Sequence, residues 1–144
     1  AGRAARLFTT LVLVRIEPAT GHVVLANAGH PWPLLVVEGR VRELSVSGLP
    51  LGKGPGRTYS ELELELPGAA SLVFASDGLF EGPDRFDDPY GYERPRGVLE
   101  RIGLWRRPAD SILEALLADW RTHIGEGEPA DDTTLVVVRR TIWS

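Results

Sequence analysis

From Glu61 to Leu66 the sequence alternates without exception, Leu62, Leu64 and Leu66 against Glu61, Glu63 and Glu65. In a strand this puts the leucines on one face and the glutamates on the other, whereas a helix would scatter both around its circumference. The segment therefore commits the chain to a sheet with one buried and one wet face, which is the habit of antiparallel sheets. The glutamates read as a solvated face that discourages edge-to-edge aggregation.

The surrounding sequence extends that sheet. LFTTLVLVRI (Leu7–Ile16) reads as a strand buried on both faces over Leu11–Val14, and EPATG (Glu17–Gly21) as a hairpin-length turn into HVVLANAG (His22–Gly29). Pro33–Val37 and Arg40–Leu44 form a second hairpin tightened at Glu38-Gly39. After the Gly/Pro-rich loop SGLPLGKGPGR and the alternating strand, GAASLVFAS reads as a central strand ending at Asp77. EGPDRFDDPYGYERP is too rich in Pro, Gly and Asp for regular structure. Arg96–Ile102 reads as a short helix stopped by Gly103. Pro108–His123 is a longer one, with Ile112, Leu113, Leu116, Leu117, Trp120 and Ile124 on one stripe. The acidic loop GEGEPADD leads into a last strand, TTLVVVRRTI. Strands followed by helices imply an α+β fold, largely antiparallel sheet layers covered by helices.

Composition narrows the class. A chain of 144 residues is one domain by its length, with 43% hydrophobic and 25% charged residues. The net charge of −4 and the lack of a basic cluster argue against nucleic acid as a partner. No apolar run approaches the ~18 residues of a membrane span, and AGRAARLFTT has no signal-peptide core, so the expectation is a cytoplasmic protein without a membrane partner. With no cysteine, disulfides and thiolate metal sites are excluded.

Nucleophile and zinc chemistry find no support. The three histidines, His22, His30 and His123, are scattered, and no Gly-x-Ser-x-Gly elbow is present. GKGPG (Gly52–Gly56) lacks the spacing and ending of a phosphate loop. His30, in NAGHPWP, marks a corner and is best explained by bonding to backbone. Carboxylates at strand ends remain. Asp77 follows one apolar strand, and Asp131-Asp132 precede another. In an antiparallel pair the end of one strand lies beside the start of its neighbour, so Asp77 and Asp131 can meet at one rim. Such an all-oxygen site suits Mg²⁺ or Mn²⁺; the alternative is two unrelated acidic loops.

TLVLVRIEPATGHVVLANAGHPWPLLV, GLPLG, LELPGAASLVFASDGLFEG and PADDTTLVVVR occur in this order, from about Phe8 to Arg139. Together they resemble the C-terminal part of the metal-dependent protein phosphatase (PPM) domain, in its bacterial stage II sporulation protein E-like (SpoIIE-like) branch. The resemblance implies part of an α-β-β-α sandwich and hydrolysis of phosphoserine or phosphothreonine at a two-metal Mn²⁺/Mg²⁺ centre. It implies Asp77 and Asp131 as metal ligands and Glu81 as a ligand of a further, weaker site. Gly78, Asp132 and His30 take supporting roles: Gly78 permits a tight exit from the strand, Asp132 shapes its loop by bonding backbone, and His30 sits at a corner near the site. The implied partner is a phosphorylated protein, typically an antagonist of an anti-sigma factor. The family's GGD and GD..G motifs, which carry the remaining metal-binding acids, have no counterpart before Phe8. The leading expectation is therefore the C-terminal part of a longer phosphatase domain, with its N-terminal part absent. A homodimer that completes its layers and a shortened, non-catalytic binding module are the alternatives.

Overall fold

The structure, a computed structural model, describes residues 7–101, 103–129 and 131–141. The alternating segment forms strand β5 (Glu61–Glu65), which joins β1 (Leu11–Ile16) and β2 (His22–Ala28) in a three-stranded antiparallel sheet of order β1-β2-β5. Strands β3 (Leu34–Val37), β4 (Arg40–Glu43), β6 (Ser71–Ala75) and β7 (Leu135–Arg139) make a second antiparallel sheet of order β4-β3-β6-β7. Both expected hairpins form. The β3–β4 turn needs left-handed backbone at both central residues, Glu38 (φ 49°) and Gly39 (φ 77°), which is why a glycine stands there.

The sheets stack through one apolar layer. Val23 and Leu25 of β2 meet Leu35 of β3 and Leu72 of β6, with Leu62 and Leu64 of β5 packed alongside. The far face of the four-stranded sheet is covered by helices α2 (Glu93–Leu99) and α3 (Ala109–Ile124), which follow on either side of a 3-10 turn, Leu104–Arg106. There Val36, Val73, Val98, Leu99, Ile112 and Leu116 form a second core. The order of layers is thus sheet, sheet, helices. No helix among the described residues is long and apolar enough to cross a membrane.

Three expectations need correction. Strand β1 is not buried on both faces: it is an edge strand, no described element lies over its outer face, and Leu11 and Leu13 are 44% and 65% exposed. Helix α2 starts earlier than Arg96, at Glu93, because Pro95 falls in the first turn, where its missing N–H costs nothing; Ile102, the expected last residue, lies outside the described residues. Ile142, the end of the expected last strand, also lies outside them. Finally, Asp77 does not simply end a strand. It opens a one-turn helix, α1 (Asp77–Glu81), on Ser76. Tertiary packing overrides the turn preference of Asp-Gly, since α1 buries Leu79 and Phe80 and the indole of Trp120 in α3 donates to the Leu79 carbonyl at 3.1 Å.

Candidate metal centre

Strands β6 and β7 pair antiparallel, Ala75 opposite Leu135. The pairing runs one step beyond the strands: Ser76 N–H donates to the Thr134 carbonyl and Thr134 N–H to Ser76 Oγ, both at 2.9 Å. Asp77 is the next residue on one side, and Asp131-Asp132 arrive on the other. The two segments touch through backbone, because a Cβ on Gly78 would lie 2.4 Å from the Asp132 carbonyl oxygen. Gly78 therefore serves a close approach. It is not among the residues with positive φ, so conformational freedom at a strand exit is not its reason.

Both acids are exposed and held alike. Asp77 Oδ1 accepts from the Gly78 N–H at 3.0 Å, and Asp131 Oδ1 from the Asp132 N–H at 2.7 Å. Among the described residues no cation pairs with either, so each carboxylate is oriented with its second oxygen free. Glu81, exposed at the other end of α1, lies four residues from Asp77 and on the same helix face. The loop-shaping role expected of Asp132 belongs instead to Asp131, whose carboxylate makes the bond to backbone; Asp132 contributes its carbonyl beside Gly78. These are hard oxygen donors of the type Mg²⁺ and Mn²⁺ take. They are few: among the described residues no three His, Asp or Glu side chains group as a metal site. The donors fit part of a divalent-cation site, with further ligands needed to complete it.

The histidines are occupied elsewhere. At the NAGHP corner, buried Asn27 accepts from the His30 N–H and donates to the His30 carbonyl, both at 2.8 Å, while His30 Nδ1 meets the Pro31 carbonyl at 2.9 Å. The imidazole then lines a cavity of about 250 Å³ at the open side of the sandwich, shared with Ser76 and Thr134. His22 pairs with Glu63 at 3.3 Å on the outer sheet face. His123 Nδ1 lies 3.0 Å from the Arg94 guanidinium, which can only donate, so Nε2–H donates to the Asp88 carbonyl.

Aromatic residues beside the acids are an unexpected part of the site. Tyr92 stacks on Phe80 of α1, centroids 4.3 Å apart. Partial burial, and then the negative charges of Glu81, Glu43 and Asp77, push its phenol above the usual tyrosine range. Trp32, next to the His30 corner, lines a recess together with Tyr92. Both stand in Pro/Gly-rich stretches, and aromatic residues in such loops were the available signal.

Comparison with known proteins agrees with this architecture. The fold is that of PPM-type protein phosphatase domains. The chain belongs to the stage II sporulation protein E (SpoIIE) family, whose model matches residues 2–141. It is similar to the phosphatase domain of SpoIIE from Bacillus subtilis, with a TM-score of 0.70 at 19% identity over 94% of this chain and 60% of that one. The SiaA-PP2C domain of Pseudomonas aeruginosa matches with a TM-score of 0.76 at 23% identity, over 90% of this chain and 51% of that one. The RsbU and RsbW domains of a Mycobacterium tuberculosis protein match with a TM-score of 0.68 at 25% identity, over 94% of this chain and 38% of that one. The chain thus spans 60% or less of each of these structures. No curated protein matches it in sequence.

Proposed function

We propose that this chain forms the C-terminal part of a Mn²⁺- or Mg²⁺-dependent phosphatase domain acting on phosphoserine or phosphothreonine of a protein. The observation that supports this reading is the antiparallel β6–β7 pairing, with Asp77 just past the end of one strand, Asp131 on the approach to the other, and each carboxylate oriented by a backbone N–H with no ion-pair partner among the described residues. Asp77 and Asp131 would hold the metals of a two-metal centre, and Glu81 a weaker third ion. Bound there, such ions lower the pKa of a water and offset charge developing on the phosphoryl group. The chain's own residues do the positioning. Their backbone N–H bonds aim the two carboxylates, Gly78 lets the Asp132 backbone close against α1, and Asn27 fixes the His30 corner at the edge of the site.

The substrate class is a phosphorylated regulator in bacterial sigma-factor signalling, an antagonist of an anti-sigma factor, met in the cytoplasm. The test is Mn²⁺-dependent phosphate release from a phosphoprotein by a protein containing this chain and its upstream sequence. Asp77→Asn and Asp131→Asn should each lower the rate on the order of a hundredfold or more. Full activity in either variant would sink the ligand assignment.

A second reading is favoured by the short donor set among the described residues: a non-catalytic binding module of the same fold, alone or as a homodimer closed over the exposed face of β1. Calorimetry separates the two. The module predicts no Mn²⁺ binding even with upstream sequence attached, and sedimentation reads the homodimer directly.

A further inference from the structure

Beside the candidate metal centre lies a recess of about 430 Å³ lined by His30, Pro31, Trp32, Leu34, Glu43 and Tyr92. It is large enough for one long side chain, and three features define what it would take. First, Trp32 and Tyr92, 42% and 55% exposed, line one recess together, so that their exposed rings are contiguous. Second, no cation of the described residues lies over their faces. Phe8, Phe86, Tyr90 and Trp105 are each covered by a Lys or Arg, Lys53, Arg85, Arg94 and Arg106 in turn, whereas among the described residues Trp32 and Tyr92 have none. Third, Glu43 on edge strand β4 is exposed and makes no ion pair among the described residues, and the charges that raise the Tyr92 phenol are those of Glu81, Glu43 and Asp77, all negative.

Exposed aromatic rings and a carboxylate with no ion-pair partner among the described residues, converging on one cavity, are the two halves of a cation receptor. No Lys or Arg among the described residues pairs with Glu43 or covers Trp32 or Tyr92. The stack on Phe80 fixes Tyr92, and the His30 corner fixes the segment that carries Trp32, so the receptor is largely ordered before it is filled.

We infer that this recess binds a basic side chain, arginine for choice, of the phosphoprotein segment whose phosphorylated residue faces the rim of Asp77 and Asp131. The inference rests on the phosphatase reading for the identity of the ligand. Arginine is preferred to lysine because its planar guanidinium stacks on an aromatic face and still donates to a carboxylate. The recess would thus select substrates by sequence around the phosphorylated residue.

The experiment needs no turnover. The 144-residue chain is titrated with a phosphoserine peptide carrying one arginine, and with the same peptide carrying citrulline, which keeps the shape and loses the charge. Backbone amide resonances of the residues lining the recess, followed in the unaltered chain and in each variant, report binding. The arginine peptide should bind about tenfold more tightly, and Glu43→Gln and Trp32→Ala should each abolish the difference. Equal affinities, or a preference that survives both substitutions, overturn the inference. Because the two peptides are compared on the unaltered chain, equal affinities count against the recess however either variant folds. Turnover of p-nitrophenyl phosphate by the longer protein separates the two readings. Turnover without an arginine preference removes the recess and keeps the phosphatase; a preference without turnover does the reverse.

Discussion

On one side of the sandwich the four-stranded sheet lies under α2 and α3, and Leu99, Ile112 and Leu116 have lost essentially all contact with solvent. On the other side the three-stranded sheet turns Leu11 and Leu13 outward, on the same face as Glu61 and Glu63 of β5, with β2 between them. Leucines in regular elements meet opposite fates according to whether a further layer lies above them. The candidate metal centre belongs to the closed side: α1, which carries Asp77 and Glu81, is pinned by Trp120 of α3. The closed side is where the chain supplies its own stability, and the rim inherits its order from it.

The strongest way to break this contrast is to truncate one leucine on each side. Leu116→Ala opens a cavity in a filled core and should cost about 3 kcal/mol in urea unfolding. Leu13→Ala should change stability by no more than about 0.5 kcal/mol, since its side chain is already in water. Equal costs would mean that something covers β1 in solution, and a homodimer would be the first candidate.

Much of this division was invisible in the sequence for a physical reason. The alternation of Glu61–Leu66 reports which side chains are wet, and β5 follows it residue by residue. LVLV in β1 reads as doubly buried because apolar residues look the same under a covering layer as without one. The expectation that Asp77 and Asp131 arrive at one rim rested on antiparallel pairing alone, and the backbone pairing of β6 with β7 is antiparallel. Helix α1 was not legible, because Asp-Gly favours a turn and only the distant Trp120 and the burial of Leu79 and Phe80 decide otherwise. The Trp32–Glu43–Tyr92 recess joins three segments remote in sequence, and no local pattern could announce it.

A smaller effect tests how tightly the closed side constrains the rim. Gly78→Ala sets a methyl against the Asp132 carbonyl, a backbone atom that cannot swing aside, and should cost about 2 kcal/mol. It should also speed amide exchange at Asp132 and Thr133, which a global loss of stability alone would not single out. Gly97→Ala is the control. Gly97 lies in α2 with open space where its Cβ would go, so the same change there should stabilise by about 0.5–1 kcal/mol. Parallel losses at both glycines would deny Gly78 its special contact.

The smallest effect concerns one polar pair on each side. Under the helices, buried Tyr90 donates to Asp119 at 2.9 Å, and Asp119 also takes Arg101 at 3.0 Å. On the outer sheet face His22 and Glu63 meet at 3.3 Å with much of both side chains in solvent. Burial, then the hydrogen bond to Asp119 and its charge, push the Tyr90 phenol well above the usual tyrosine range. A raised value in the folded state means the neutral phenol is what folding favours. Its contribution is whole below the unfolded tyrosine value, about 10, and is lost as pH climbs beyond it. Tyr90→Phe should therefore cost about 1 kcal/mol at neutral pH, with that cost shrinking above about pH 10 as the unaltered chain weakens faster. His22→Ala should stay within about 0.5 kcal/mol at neutral pH, as exposed ion pairs do. Urea midpoints for both variants from pH 7 to 11 decide the matter: a constant Tyr90→Phe cost across the range would show that the phenol is not held by its buried bond to Asp119.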